Sequence, residues 1–176
     1  MTKEGSPTAQ LTAIDCHDLR VAIVASSWHE QVMDGLLAGA SRAMADYHVE
    51  APEVVRVPGS FELAMAAKAL AENGFQAIVA LGVVVRGGTP HFDYVCSAAT
   101  DGLNRVALDT GAAIGFGLLT CDTDEQALDR AGLDGSREDK GYEAAAAALH
   151  TANVLRQIRG GIHHGRGAGA VEAGGD

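Results

Sequence analysis

The sequence is poor in positive charge. Lys and Arg number 13 against 23 Asp and Glu, giving a net charge of −10 with histidine neutral. That balance excludes a broad electrostatic grip on nucleic acid or on an anionic membrane, since both need a basic face. Any phosphate bound here must be held by a local arrangement that works against the overall field. Cysteine is scarce too: Cys16, Cys96 and Cys121 are odd in number and far apart, with no Cys-x-x-Cys pair. That count argues against a disulfide framework and against a zinc site. No apolar run reaches the roughly 18 residues of a membrane-spanning helix. The N-terminus lacks a basic start followed by an apolar stretch, so no secretory signal is read and a cytoplasmic location is expected.

What is present reads as a globular chain. Over 176 residues, 47% are hydrophobic and 20% charged, enough for one domain with a substantial core. Residues 1–13 are polar and unpatterned, and residues 160–176 are dense in glycine. Flexible ends are therefore expected around a single domain over 14–159. His163 and His164 are too few to read as a metal-binding tract. Between the ends, one unit repeats. Strands are predicted over 20–27, 53–59, 76–85 and 112–120, and helices over 29–47, 61–73, 92–110, 122–132 and 136–160. Val32, Leu36, Ala40, Ala43 and Tyr47 recur at helical spacing. "QAIVALGVVV" is apolar nearly throughout, as in a strand covered on both faces. Gly74 suits a left-handed helix end, and Thr123 with Gln126 has capping-box spacing. Four strands, each followed by a helix, predict an α/β fold: a three-layer α-β-α sandwich around a four-stranded parallel sheet.

In such sheets, ligands bind outside the carboxyl ends of the strands. Four loops qualify: 26–29, 58–62, 86–91 and 120–123. "RGGTPH" at 86–91 is either a plain turn with a proline cap or an anion cradle. In the second reading Gly87 and Gly88 admit the anion, Thr89 adds a hydroxyl, and the following helix offers free N–H groups. His91 then either caps the helix or relays protons beside the anion. Trp28, the only tryptophan, is either core or a platform for a flat heterocycle. Glu62 either favours a helix N-terminus or accepts hydrogen bonds from sugar hydroxyls. Arg130 is either a dipole partner near a helix end or a guanidinium for phosphate. Taken together, these residues sketch a pocket for an aromatic, polyol-bearing substrate meeting a sugar phosphate.

The blocks "VASSWH", "PGSFEL", "ALGVVVRGGTPHFDYVC", "GLLTCDTDEQALDRAG" and "EDKGYEAA" resemble, in order and spacing, the 6,7-dimethyl-8-ribityllumazine synthase family. The resemblance covers about residues 19–158 and implies a flavodoxin-like fold. It also implies condensation of 5-amino-6-(D-ribitylamino)uracil with 3,4-dihydroxy-2-butanone 4-phosphate, releasing phosphate and water, in the penultimate step of riboflavin biosynthesis. No cofactor and no metal are implied. By the same resemblance Trp28 stacks on the pyrimidine, while Ser60, Phe61 and Glu62 hold the ribityl chain. The strand end Val83, Val84 and Val85 offers backbone to the pyrimidine, Gly88 and Thr89 cradle the phosphate, and His91 transfers protons. Phe116 and Arg130 match residues supplied by a neighbouring subunit, with Lys140 nearby. The segment near Ile14 is expected to order on a neighbour's sheet. Ser60 replaces a frequent alanine and Gly88 a usually larger residue, so altered affinity is expected there. The long joint over 131–140 favours a homopentamer over a sixty-subunit shell. The alternative reading is a non-catalytic flavin- or lumazine-binding, or cage-forming, homologue.

Overall fold

The β-branched runs become strands, and the Ala- and Leu-rich segments between them become helices. The computed structural model describes residues 13–161. Its elements are β1 (Val21–Ser26), α1 (Glu30–Asp46), β2 (Glu53–Val57), a single 3-10 turn (Ser60–Glu62), α2 (Leu63–Glu72), β3 (Ala77–Val85), α3 (His91–Thr110), β4 (Ala113–Cys121), α4 (Asp124–Leu128) and α5 (Lys140–Arg159). The expected loose ends, 1–13 and 160–176, fall outside the described residues except for Ala13, Gly160 and Gly161, and so does the His163–His164 pair. Among the described residues no helix is long and apolar enough to cross a membrane.

The strands form one parallel sheet in the order β2-β1-β3-β4. Helices α1, α4 and α5 cover one face and α2 and α3 the other, the three layers of a flavodoxin-like sandwich. β3 is buried from Ala77 to Val83, so its unbroken apolar sequence follows from cover on both faces. In α1, Val32, Leu36, Ala40 and Ala43, with Tyr47 just beyond, turn inward as their spacing predicts. Glycine sets the helix approach at one position in particular. A Cβ on Gly141 would overlap the Leu36 carbonyl, so α5 lies against α1 at backbone distance only because that side chain is missing. Gly74 has φ 86°, the left-handed ending expected of it after α2.

Two helices differ from the sequence reading: α4, expected over 122–132, ends at Leu128 and lacks the full capping box, and the last helix starts later. Thr123 caps α4 as expected, accepting from the Gln126 amide, but the Gln126 side chain returns to the Asp122 amide rather than to Thr123. The last helix begins at Lys140, not near Ser136. Asp139 is the true cap: it accepts from the Tyr142 amide at 3.0 Å and pairs with Arg42 of α1. Ser136 instead donates to the Leu128 carbonyl and accepts from the Leu133 amide, closing the joint on itself. Ile14 packs half-buried against the core of this chain, and the residues before Ala13, expected with it on a neighbour's sheet, lie outside the described residues.

One feature of register prepares the site. β1 pairs with β3 only as far as Ala25↔Leu81, whereas β3 pairs with β4 through Val85↔Cys121. Gly82–Val85 therefore extends past β1, with a backbone edge that no strand covers on that side.

Candidate active site

The strand order reverses between β1 and β3, which places the crevice of this sheet at their carboxyl ends. Trp28 follows β1 and is 68% exposed, which rules out the core reading of that residue. Behind it, Ser27 donates to the Val57 carbonyl at 2.9 Å and so ties the end of β1 to that of β2. A Cβ on Gly59 would sit 3.9 Å from Trp28 Nε1, so the indole lies beside the turn after β2. His29, next in line, holds a left-handed backbone with φ 58°. Its imidazole stands 3.7 Å from Asp124 of α4.

The turn after β2 crosses onto the overhang of β3. Glu62 accepts from the Gly59 amide at 2.9 Å, which closes the 3-10 turn. Ser60 is buried, and its hydroxyl donates to the Val83 carbonyl at 3.3 Å. The hydroxyl thus occupies part of the edge that β1 leaves uncovered. This is a specific use for a serine hydroxyl, which an alanine here would lack. Val84 and Val85 are half-buried beyond it. The turn also brings Phe61 and Glu62 to the first turns of α3. There they line a cleft of about 580 Å³ together with His91, Tyr94, Val95 and Ala98.

The loop after β3 answers to the anion-cradle reading in shape. Pro90 precedes the first helical residue, His91, so the free N–H groups of α3 face the turn. Gly87, Gly88, Thr89 and His91 are all exposed. Nothing lies within 4 Å of a Cβ built on Gly87 or Gly88, and neither has a positive φ. The glycines are therefore not demanded by the turn; what they leave is open space over the backbone.

Arg86 does not face that space. Its Nε donates to Asp122 at 2.8 Å, its Nη1 reaches Asp93 at 3.2 Å, and its guanidinium carbon lies 4.1 Å from the centre of the Phe92 ring. The hydrogen bond to Asp122, with Asp93 adding to it, pushes its pKa further up. Burial pushes the Cys96 and Cys121 thiols up, so neither is a ready thiolate.

The remaining expected residues stand at the other edge. Phe116 is exposed on β4, in a separate hollow with Thr100, Leu103, Asn104, Ala107 and Ile114. Arg130 lies just past α4, and its Nη1 donates to the Gln126 carbonyl at 2.9 Å, the helix-end partnership that the sequence left open. The Ala131–Asp139 bridge holds Lys140 beside it, with the Lys140 amide on the Arg130 carbonyl at 3.0 Å. Burial works against the Lys140 charge, but its bonds to Glu138 and Glu143 outweigh this and raise its pKa. The structure thus gathers Trp28, Ser60, Phe61, Glu62, Val83 and His91 around the crevice of one chain. Phe116 lines a different hollow, and the side chains of Arg130 and Lys140 bond to Gln126, Glu138 and Glu143 rather than to any of these. Sequence reasoning missed Tyr94, whose signal was its place three residues after His91 on one helix face. It also missed the Arg86 latch, which depends on Asp122 from the next strand end.

Comparison with known proteins adds an independent finding. Residues 18–156 match the model of a family described as 6,7-dimethyl-8-ribityllumazine synthase. A protein of that name from Nocardioides sp. is 64% identical over 158 residues, which cover 90% of this chain and 97% of the relative. One from Kocuria rhizophila is 64% identical over 155 residues, 88% of this chain and 99% of the relative. One from Streptomyces coelicolor is 58% identical over 158 residues, with 90% and 97% covered.

Proposed function

The chain belongs to the 6,7-dimethyl-8-ribityllumazine synthase family, and from that premise we propose how its residues carry the reaction. It is a transferase of riboflavin biosynthesis. It joins 5-amino-6-(D-ribitylamino)uracil to 3,4-dihydroxy-2-butanone 4-phosphate, with release of phosphate and water. Trp28 stacks on the pyrimidine, whose polar edge meets the uncovered backbone of Val83, Val84 and Val85. Phe61 and Glu62 take the ribityl chain, with Ser60 fixing their turn to Val83. Gly88 and Thr89, with the first amides of α3, hold the phosphate. Phe116, Arg130 and Lys140 complete the site from an adjacent subunit of a homopentamer, and Arg130 faces the phosphate.

The chemistry needs proton transfers more than a strong nucleophile. The substrate amine adds to the ketone, and the resulting carbinolamine loses water to form an imine. A proton then leaves the carbon beside the imine, and phosphate departs from the next carbon with its bonding pair. The elimination leaves an enol, which takes a proton at its terminal carbon and releases its hydroxyl proton to become a ketone. The ribitylamino nitrogen closes the ring on that new carbonyl, and a second water leaves. His91, at the mouth of the phosphate cradle, is the group that takes and returns these protons, worth about 10²–10⁴-fold. Holding two substrates in one cleft removes much of the remaining barrier as entropy already lost on binding. The cradle amides and Arg130 stabilise the charge that gathers on the departing phosphate.

The observation that carries this reading is the single cleft in which Phe61, Glu62 and His91 meet beside an open glycine turn. The test is to mix purified protein with both substrates and follow the lumazine chromophore. His91→Ala should lower kcat by about 10²–10⁴-fold, and Trp28→Ala should raise KM for the pyrimidine substrate about tenfold. Wild-type protein that makes no lumazine above the spontaneous reaction overturns the proposal. The pentamer and the cytoplasmic location are parts of the same proposal, checked by light scattering and by cell fractionation.

A further inference from the structure

Arg86 stands at the rim of the anion cradle yet is turned away from it. It is shared between Asp93, two residues after His91, and Asp122, just past β4. All three side chains are well exposed, at 44%, 62% and 65%. Ion pairs this wet contribute little to stability, so folding alone gives no reason for a guanidinium latched to two carboxylates and stacked on Phe92. Their position gives one. Asp93 and Asp122 flank the glycine turn, and the chain already carries a charge of −10. Left unpaired, two carboxylates beside that turn would repel a phosphate dianion arriving there. We propose that Arg86 is a positioning and charge-neutralising residue of the phosphate site: it cancels Asp93 and Asp122 and pins the β3–α3 turn open without touching the phosphate. Its bidentate reach matters, because one guanidinium engages acceptors from two elements at once. Its backbone amide, bonded to the Cys121 carbonyl at 2.9 Å, anchors the same turn to β4.

The inference rests on the assignment of that turn to the butanone phosphate, and kinetics of the full-length enzyme test it separately from that assignment. Arg86→Met keeps the packing on Phe92 and removes the charge. KM for the butanone phosphate should rise about tenfold at low salt and the rise should shrink at high salt, while KM for the pyrimidine substrate stays within about twofold. Adding Asp93→Asn and Asp122→Asn to Arg86→Met should bring KM for the phosphate back to within about threefold of wild type, since the repelling charges are then gone. Arg86→Lys, which keeps the charge but lacks the fork that spans both carboxylates, should fall between Arg86→Met and wild type. If the triple variant binds the butanone phosphate as weakly as Arg86→Met, Arg86 contacts the phosphate itself and the inference is wrong. If Arg86→Met raises both KM values together, or only lowers the melting temperature, the residue is structural and the inference is equally wrong. Loss of lumazine formation in wild type would instead sink the functional assignment beneath it.

Discussion

Consider co-expressing two inactive variants, His91→Ala and Arg130→Ala, in equal amounts. Trp28, Phe61, Glu62 and His91 gather at the ends of β1, β2 and β3, whereas Phe116 and Arg130 lie on and beyond β4, the opposite edge strand. If the working site spans two subunits, an Arg130→Ala chain still offers an intact His91 side, and a His91→Ala chain an intact Arg130 side. In a ring assembled at random, a site is whole when the first comes from one variant and the second from the other. The chance is about one half for each, so about one quarter of wild-type activity should return. Each variant alone should stay near background, because every site then lacks the same group. Both changes are made at side chains that carry no core packing, so the variants should fold and mix. The assay is the lumazine absorbance of the purified mixture beside each pure variant and wild type. A mixture no more active than its separate parts would refute the shared site, since a site built within one chain cannot be repaired by a neighbour.

Gly88→Ala should separate stability from function. The backbone there has no positive φ and a Cβ would meet nothing, so the loss of unfolded-state freedom should stabilise the fold by about 0.4–1 kcal/mol. KM for the butanone phosphate should rise at the same time, because the methyl enters the cradle; calorimetry and kinetics check the pair, and a lower melting temperature contradicts the geometry. Alkaline stability offers a further test. Tyr142 donates to Asp46 at 2.8 Å, and that bond, with burial second, pushes its pKa from 10 to about 12. The folded state holds this proton longer than the unfolded chain does, so the contribution is complete below pH about 10 and is lost as pH climbs towards about 12. Urea midpoints measured across that window should fall for wild type and fall less for Tyr142→Phe.

How far the sequence could be read depended on whether a residue's partner was near it in the chain. β3 was legible because an apolar run with no polar alternation has no exposed face, and α1 because its inward positions repeat every turn. Gly74 and Thr123 act within a few residues of themselves, and both end or cap their helices as read, although Gln126 bonds the Asp122 amide instead of completing the capping box. The start of α5 was misread because Ser136 and Asp139 are both good caps. The choice between them is made by Arg42 and by the Leu128 carbonyl, which the sequence does not bring to mind. Strand order and the overhang of β3 depend on pairings between distant segments, so neither could be read in advance. The same holds for Arg86. As a residue beside a glycine turn it looks like a phosphate ligand, and only Asp122, 36 residues on, shows where the guanidinium goes.

A chain of charge −10 that handles a phosphate ester has a problem of range. Its overall field repels the substrate at a distance, and in the proposed site the cradle amides, the first turn of α3 and a neighbouring subunit's guanidinium attract it close by. Such attraction falls away within a few ångströms, so it acts on a phosphate that is already seated. That asymmetry suits the reaction. The substrate phosphate is tethered through its carbon chain to the ketone that becomes the imine, so it is held at a second point while the chemistry proceeds. Once the carbon–oxygen bond breaks, the free phosphate keeps only the local contacts and faces the repelling field. Adding positive charge around the cleft should therefore tighten inorganic phosphate more than it tightens the tethered substrate. On the proposed reading the acidic surface helps the site to empty, and the Arg86 latch confines neutralisation to the β3–α3 turn.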